Sequence, residues 1–371
     1  MRIAFYAPMK APTHRTPSGD RTVARLLVRV LEDLGHEVRL ASGFRAYDGG
    51  GDAARQDRLA RRGAAIAERL VESWRAGPPD LWLTYHLYHK APDHLGPRVA
   101  DAFSIPYLVV EPSVAMKQAS GPWAAGFAAA ARALKRADVL LPMTAEDASG
   151  LADLNLDRAR ILALPPFLDT RRYKNGGRAE ARSRLAEGYG LDPNSLWLVT
   201  VAMMRPGDKM ASYRRLAAAL DLVPRAGWTL LVAGDGSGRG EIEALLPPRT
   251  VFTGTLREAA LPALYRAADL FVWPAVNEAY GMALLAAQAG GLPVVAGRER
   301  GVPEIVADGE TGLLTPPGDD AAFASAVATL LADPDRRHLM ATAARRRVGE
   351  RHSLEAAGKA LARAIEAAGR P

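Results

Sequence analysis

The sequence contains no cysteine among its 371 residues, which excludes disulfide bonds, cysteine-ligated metal clusters and a cysteine nucleophile. No apolar run reaches the length of a membrane span, and the first residues, MRIAFYAPMKAP, lack the apolar run of a signal peptide. We therefore expect a cytoplasmic protein. The net charge is +7, but it comes with no zinc-finger or RNA-recognition signature, and the arginines are scattered along helical segments. We expect no nucleic acid partner.

Short apolar runs alternate with helical stretches along most of the chain. Arg2–Ala7 is typical of a buried strand, and the helical repeat that follows stops at Gly35. Further apolar runs lie in DLWLTYH, IPYLVVEPS, ADVLLPM and ARILALPP. Alternation of this kind predicts an α/β fold, with parallel sheets covered by helices on both faces.

The alternating pattern is interrupted once, at Pro165–Ser195, where proline, glycine and charge predict a linker with one small helix. A second series of strands begins at LWLVTVAMM. A chain of 371 residues also exceeds the usual size of one hydrophobic core. We predict two Rossmann-like, doubly wound domains, residues 1–170 and 171–350, facing across a cleft, and a C-terminal helix over residues 351–371. Ligands are expected beyond the carboxyl ends of the strands.

Two strand-end loops of the second domain contain candidate binding residues. Arg205 and Lys209 lie four residues apart before a helix, and two cations beside a helix N-terminus favour phosphate binding. A solvated basic turn is the alternative. The loop GDGSG, with Gly234 at its start, matches a dinucleotide fingerprint poorly because its second half is out of register. We interpret it as a tight turn that lines the cleft.

A single carboxylate, Glu278, precedes a helix that we expect to begin near Tyr280 and Gly281. The free N–H groups of Gly281, Met282 and Ala283 would hold a phosphate, while Glu278 would bind a neutral polyol. The alternative is that Glu278 only caps the helix.

Polar residues also follow the strands of the first domain. Gly19–Asp20 precede the first helix, His86 ends one strand, and Glu111 and Lys117 follow another. His86 and His89 have no third ligand at a suitable spacing, so we predict no metal site.

Several segments of the chain resemble glycosyltransferase family 4, whose members have the GT-B fold. The resemblance extends over essentially the whole length and is strongest in the second domain, in RPGDK, GDGSGRGEIEAL, LPALYRAADLFVWPAVNEAYGMALLAAQAGGLPVVAG and GVPEIVADGETGLLTPPGDDAAFASAVATLLADPDRR. It implies a retaining transferase (EC 2.4 class) that uses a nucleotide-sugar and needs no metal or other cofactor. It also implies a return helix, from Ser353 onward, that packs on the first domain.

The resemblance assigns roles to individual residues. Arg205 and Lys209 would neutralise the leaving diphosphate, and Glu278 would contact the hydroxyl groups of the donor sugar. The acceptor or sugar side would involve His86, Glu111 and Lys117. The donor-binding residues would be Gly19, Gly234, Tyr280, Gly281, Met282 and Ala283.

The chain departs from the family pattern at two positions. The family has a second glutamate eight positions after the first, to grip the ribose, and this chain has Ala286 there. Gln288 lies roughly 200° further round the helix and is a poor substitute. Glu111 stands where many members carry a histidine. Loss of two hydrogen bonds to the ribose diol would cost roughly 1–3 kcal/mol of donor binding.

These departures leave two alternatives to an active but atypical transferase. One is a catalytically silent relative that binds a sugar, a nucleotide or a protein. The other is a different GT-B enzyme, such as a sugar-nucleotide epimerase or a phosphorylase-like transferase. The sequence does not specify the donor base and sugar, the oligomeric state, or the acceptor, which could be a sugar, a lipid or a small molecule. Peripheral contact with the inner face of the membrane also stays open, although no basic amphipathic helix demands it.

Overall fold

The computed structural model describes residues 1–16, 18–224 and 227–369, which form two compact units. Unit 1 comprises Met1–Phe167 and the C-terminal segment from Leu354, and unit 2 comprises Leu168–Ser353. The chain therefore leaves unit 1 after Phe167 and returns to it at Leu354. The sequence-based boundaries lie at residues 170 and 350.

The sheet of unit 1 has five strands in the order β2-β1-β3-β4-β5, and all neighbours pair in parallel. Its apolar strands are almost entirely buried, as expected for a parallel sheet covered on both faces. The order of strands reverses between β1 and β3, which makes this position the switch point where doubly wound sheets bind ligands. The strands are β1 (Arg2–Tyr6), β2 (Glu37–Ser42), β3 (Leu81–Leu87), β4 (Tyr107–Pro112) and β5 (Val139–Leu141).

The sheet of unit 2 has six parallel strands in the order β11-β10-β9-β6-β7-β8. Here the order reverses between β6 and β9. The strands are β6 (Leu196–Val201), β7 (Trp228–Ala233), β8 (Thr250–Gly254), β9 (Leu270–Trp273), β10 (Val294–Gly297) and β11 (Gly312–Thr315). Each unit is thus a doubly wound α/β unit, which confirms the predicted fold class.

Amphipathic helices connect the strands. In α1, for example, Ser18 Oγ accepts the Arg21 N–H as an N-cap, and Val23, Leu27 and Val30 are buried against the sheet. The helices of unit 1 before the crossing are α1 (Gly19–Asp33), α2 (Ala53–Trp74), α3 (Gly96–Phe103), α4 (Ala124–Arg136) and α5 (Ala145–Ala152). Those of unit 2 are α6 (Arg178–Tyr189), α7 (Asp208–Asp221), α8 (Arg239–Leu245), α9 (Leu261–Ala267), α10 (Met282–Ala289), α11 (Val302–Ile305), α12 (Asp320–Ala332) and α13 (Pro334–Arg351). Short 3-10 helices occupy Met116–Gln118, Arg158–Arg160 and Thr170–Tyr173.

The last helix, α14 (Leu354–Ala368), packs within unit 1 against α1, β4 and β5. Ala357, Leu361 and Ala364 are buried on one face, and Gly358 of α14 lies close to Val30 of α1. The chain therefore completes the first unit with its last helix.

One predicted strand, ARILALPP, does not form. Arg158–Arg160 is a 3-10 helix, and Ile161 makes only an isolated bridge to Leu140 of the three-residue β5. Pro165 and Pro166 have no N–H groups with which to extend a ladder. The N–H groups of Leu162 and Leu164 donate to the Leu140 and Pro142 carbonyl oxygens, so the run lies beside β5 without forming a strand.

Candidate functional site

A lysine–glutamate ion pair lies at the switch point of the unit 2 sheet. Lys209 is the second residue of α7, which follows β6, and Glu278 lies in the loop after β9. Lys209 Nζ donates to Glu278 Oε2, and Trp273 Nε1 donates to the same oxygen at 3.4 Å. The two charged side chains are 19% and 18% exposed. The pair is thus partly shielded from water, yet accessible to a ligand at the carboxyl edge of the strands.

The loop that presents Glu278 is held against α7 by polar contacts. Val276 N–H donates to Ser212 Oγ at 3.0 Å, and Asn277 Nδ2 donates to Asp208 Oδ2 at 3.1 Å. Asn277 has a left-handed backbone, with φ of 50°. These contacts fix the loop on the first turns of the helix that carries Lys209, so the two charged residues are positioned together.

Helix α10 begins at Met282, directly after Gly281. Gly281 has φ of 81°, and a Cβ there would come within 2.7 Å of Leu284 Cδ1, so only glycine fits without strain. The N–H groups of Met282 and Ala283 belong to the first turn, where no acceptor exists within the helix. No side chain caps α10, so the alternative of Glu278 as a capping residue is wrong. This N-terminus can accept an anion.

The structure does not bring Arg205 into the Lys209–Glu278 pair. Arg205 is exposed in the loop between β6 and α7, and it makes no hydrogen bond or ion pair with any residue that the structure describes. Gly207, with φ of 87°, turns the chain between Arg205 and the helix. The diphosphate-binding role of Arg205 stays a prediction.

The glycines of GDGSG allow two strand-end loops of unit 2 to pack closely. A Cβ on Gly234 would lie 1.9 Å from the Ala202 carbonyl oxygen, and one on Gly236 would lie 2.2 Å from the Met204 carbonyl oxygen. Gly238 N–H donates to the same Met204 oxygen at 2.9 Å. The loop after β7 therefore supports the loop that leads to Lys209. The donor-binding role of Gly234 stays a prediction.

The position of the missing second glutamate is an apolar part of α10. Ala286 is partly buried against the core of unit 2 and presents no polar group. Gln288 is fully buried, and its Nε2 donates to the Ile305 carbonyl oxygen at 3.0 Å. Gln288 is therefore engaged in the core and cannot act as a substitute ribose ligand from its observed position.

A second polar pair lies at the switch point of the unit 1 sheet. Asp20 lies in the first turn of α1, after β1, and His86 lies near the end of β3, with φ of 60°. His86 Nδ1 is 2.9 Å from Asp20 Oδ1. Gly19 is the first residue of α1 rather than part of the preceding loop. Sequence reasoning missed this pairing, and its only signal was that both residues follow strands that could be neighbours.

The surroundings of His86 keep its imidazole protonated at neutral pH. Burial alone would lower the pKa of His86, but the negative charges of Glu111 and Asp20 outweigh it and raise the pKa to about 9. Burial likewise opposes ionisation of Asp20, but its hydrogen bond to His86 and the charge of His86 lower the pKa of that carboxyl. Asp20 and His86 thus form a charged pair.

Glu111, in β4, faces His86 in a strained and buried position. Its φ is 55°, and its side chain belongs to a residue that is 8% exposed. Burial raises the pKa of Glu111, and its Oε2 has no hydrogen-bond partner among the residues described. Lys117 is exposed in a 3-10 helix, where it makes no hydrogen bond with a described residue. Lys117 is therefore not part of the Asp20–His86–Glu111 group.

A cavity of about 190 Å³ opens within unit 1 beside the loops after β2 and β3. Its polar lining includes Asp48, Gln56, His89, Lys90 and Arg132. Burial and then the charge of Lys90 lower the pKa of His89, and His89 Nε2 is buried without a hydrogen-bond partner in the described chain. This cavity was not predicted from the sequence, because its lining comes from four separate segments.

Two features are absent from the residues that the structure describes. No group of three or more His, Cys, Asp or Glu side chains there could hold a metal ion. Within the same ranges, no helix has both the length and the apolar character needed to cross a bilayer.

Two doubly wound units of this kind define the GT-B class of fold. The solved structure of Anabaena HepE in complex with UDP has this fold, with a TM-score of 0.76 and 17% identity, over 99% of this chain and 100% of that chain. The same neighbour has also been solved with UDP-glucose. At this identity the likeness shows the fold.

Sequence comparisons identify the family. The model of the family "Glycosyl transferases group 1" matches residues 196–333. The alpha-D-kanosaminyltransferase of Streptomyces kanamyceticus is 30% identical over 72% of this chain and 69% of its own length. The D-inositol 3-phosphate glycosyltransferase of Nocardia farcinica is 35% identical over 63% of this chain and 52% of its own length. The chain thus spans about half the length of that relative. It belongs to the group 1, family-4-like glycosyltransferases.

Proposed function

We propose that the protein is a retaining, metal-independent glycosyltransferase that moves a sugar from a nucleotide-sugar to an acceptor. The observation that carries this proposal is the Lys209–Glu278 ion pair at the switch point of the unit 2 sheet. The names of the relatives, all sugar transferases, support the reaction class. The binding of UDP and UDP-glucose by HepE supports a nucleotide-sugar donor.

Lys209 and the first turn of α10 are proposed to bind the diphosphate. A lysine ammonium and free helix N–H groups placed where negative charge develops on a leaving group stabilise the transition state electrostatically. In the proposed site they would supply this positive charge without a metal ion. Arg205, exposed on the adjoining loop, would add a second cation once a diphosphate is bound, because its guanidinium has no competing partner in the described chain.

Glu278 is proposed to recognise the hydroxyl groups of the donor sugar. Both of its side-chain hydrogen bonds to described residues, from Lys209 and Trp273, use Oε2. Its other oxygen, Oε1, can therefore accept from a neutral polyol while Oε2 keeps the carboxylate in place. The single carboxylate before the N-terminus of α10 would orient the sugar, and the N–H groups of the helix would remain for phosphate.

Unit 1 is proposed to bind the acceptor. The cavity beside His89, Lys90 and Arg132 provides a concave surface with hydrogen-bond donors, and the protonated His86 provides a further donor at the strand ends. Glu111 is buried near the end of β4, and Lys117 is exposed in the 3-10 helix that follows this strand. Both are candidates for contact with the acceptor.

The test is a calorimetric binding screen with UDP, GDP, ADP and their sugar conjugates. It compares the wild-type protein with Ala286→Glu, which restores the carboxylate that the family pattern has at this position. Binding of one nucleotide-sugar by the wild type, followed by transfer to an added acceptor, supports the proposal. Binding by Ala286→Glu alone would mean that the natural protein has lost its donor and is a silent relative. Binding by neither protein, with both folded by circular dichroism, would refute the site.

A further inference from the structure

A cavity in unit 2 lies at the edge of its sheet opposite the Lys209–Glu278 pair. It has a volume of about 360 Å³, at the lower end of the range for small-molecule sites. Asp269 and Pro293, which line it, directly precede β9 and β10, so the cavity lies at the amino ends of these strands. It is thus separate from the proposed donor site, which lies at the carboxyl ends.

The lining of this cavity is rich in positive charge. It includes the guanidinium groups of Arg178, Arg337 and Arg345, beside the imidazole of His338 and against the single carboxylate of Asp269. That carboxylate is already occupied by other groups. Its Oδ1 accepts from Arg178 Nη2 at 2.6 Å, and its Oδ2 accepts from Arg182 Nη1 at 3.1 Å and from the backbone N–H of Trp197 at 2.8 Å. Asp269 therefore has little capacity left to neutralise Arg337 and Arg345.

Arg337 is held in the wall of the cavity by the end of a neighbouring helix. Its Nη1 donates to the carbonyl oxygens of Leu330 and Leu331, the latter at 2.8 Å, in the last turn of α12. Burial lowers the pKa of the Arg337 guanidinium, and the attraction of Asp269 does not offset it. The guanidinium is thus fixed in place, partly dehydrated and without a carboxylate of its own.

Arg345 is placed over a glycine at the same cavity. Gly291 has φ of 76°, and a Cβ there would come within 1.8 Å of Arg345 Nη1, so any other residue would displace the guanidinium. Arg345 forms no hydrogen bond or ion pair with the residues that the structure describes. Its N–H donors are therefore available to a ligand.

We propose that this cavity binds a small organic phosphate through Arg345, Arg337 and His338. Guanidinium groups match phosphate oxygens with paired N–H donors, and the exposed imidazole of His338 adds a third donor. The volume leaves room for an organic body beside the phosphate. The site is independent of the proposed sugar transfer and does not require it.

The experiment uses the full chain with Lys209→Gln, which weakens phosphate binding at the proposed donor site. Glucose 6-phosphate, inorganic phosphate and glucose are titrated by calorimetry at low ionic strength. We expect glucose 6-phosphate to bind more tightly than inorganic phosphate, and glucose not to bind. We also expect Arg345→Gln, added to the Lys209→Gln protein, to weaken binding of glucose 6-phosphate about 10- to 100-fold, the effect of one lost charge-assisted hydrogen bond.

Arg346→Gln is the matched control, because it removes the same charge from the next residue of α13. Arg346 Nη2 pairs with Glu310 Oε1 at 3.0 Å and does not line the cavity. Unchanged affinity in this control supports a built site. Equal weakening by Arg345→Gln and Arg346→Gln would show diffuse attraction to a basic helix and overturn the proposal. So would glucose 6-phosphate binding no tighter than inorganic phosphate, or no binding at all.

Discussion

Lys209 and Glu278 are each less than one-fifth exposed, so each charge depends on the other for compensation. Water screens such a pair only in part, and loss of one partner leaves a partly buried charge unpaired. In the proposed site, the ammonium of Lys209 would keep one N–H donor on Glu278 and offer its other donors to a phosphate. The chemistry of the site therefore depends on a few charges placed by backbone geometry.

Lys209→Gln is predicted to weaken the binding of UDP by about 10- to 100-fold, because a charge-assisted hydrogen bond contributes about 1.5–3 kcal/mol. Isothermal titration calorimetry measures the effect. Lys359→Gln is the control, since Lys359 forms an exposed ion pair with Glu355 in α14 and should leave the affinity unchanged. A Lys209→Gln protein that is folded and binds UDP as the wild type does would remove Lys209 from the diphosphate site.

His86 is predicted to make the stability of the protein depend on pH. Its folded-state pKa of about 9 lies above its ordinary value of 6.5, so the protonated form stabilises the fold. This contribution, on the order of 3 kcal/mol, is fully present below about pH 6.5 and is lost as the pH rises through about 9. Urea unfolding between pH 6 and pH 10 should show the loss in the wild type and a flatter profile in His86→Gln. Parallel stability profiles in the two proteins would contradict this role of His86.

Among the helices and strands, glycine with a left-handed backbone decides where α10 begins. Gly281→Ala is predicted to destabilise unit 2 by about 1–3 kcal/mol, because the new methyl group would meet Leu284 and the φ of 81° would be strained. Gly349→Ala is the control, because Gly349 lies inside α13 with open space around it. That substitution should stabilise by about 0.5–1 kcal/mol. The midpoint of thermal unfolding should therefore fall for Gly281→Ala and rise for Gly349→Ala. A shift of the same sign in both variants would contradict the role assigned to Gly281.

The strands were predictable from the sequence because buried parallel strands are short, continuous apolar runs between helical repeats. The same criterion failed at ARILALPP, where Leu162 and Leu164 donate to the backbone beside β5 but Pro165 and Pro166 end the hydrogen bonding before a strand forms. Glu278 and Lys209 were predicted as separate candidates, each at a strand end. Their pairing follows from the neighbour relation of β6 and β9, which the order of strands along the chain does not reveal. The Asp20–His86 pair escaped prediction for the same reason.

For the molecule as a whole, the C-terminal helix belongs to the unit that the N-terminal strand begins. Leu361→Ala, which truncates a fully buried side chain of α14, is predicted to destabilise unit 1 by about 2–4 kcal/mol. Hydrogen exchange should then speed up in β4 and β5, which α14 contacts, and remain slow in β6 and β7. Equal loss of protection in both sheets would show that the units unfold as one.

The chain passes between the units twice, and the two connecting segments meet within unit 2. Leu168 pairs with Ser353 in an isolated parallel bridge, and the Leu168 N–H donates to the His352 carbonyl oxygen at 2.9 Å. Unit 2 is thus an insertion whose entry and exit segments are adjacent. An insertion of this kind can be exchanged for the corresponding unit of a relative by changing the chain at two neighbouring positions, and the path of unit 1 stays the same. Chimeras made this way would allow the proposed donor and acceptor preferences to be recombined independently.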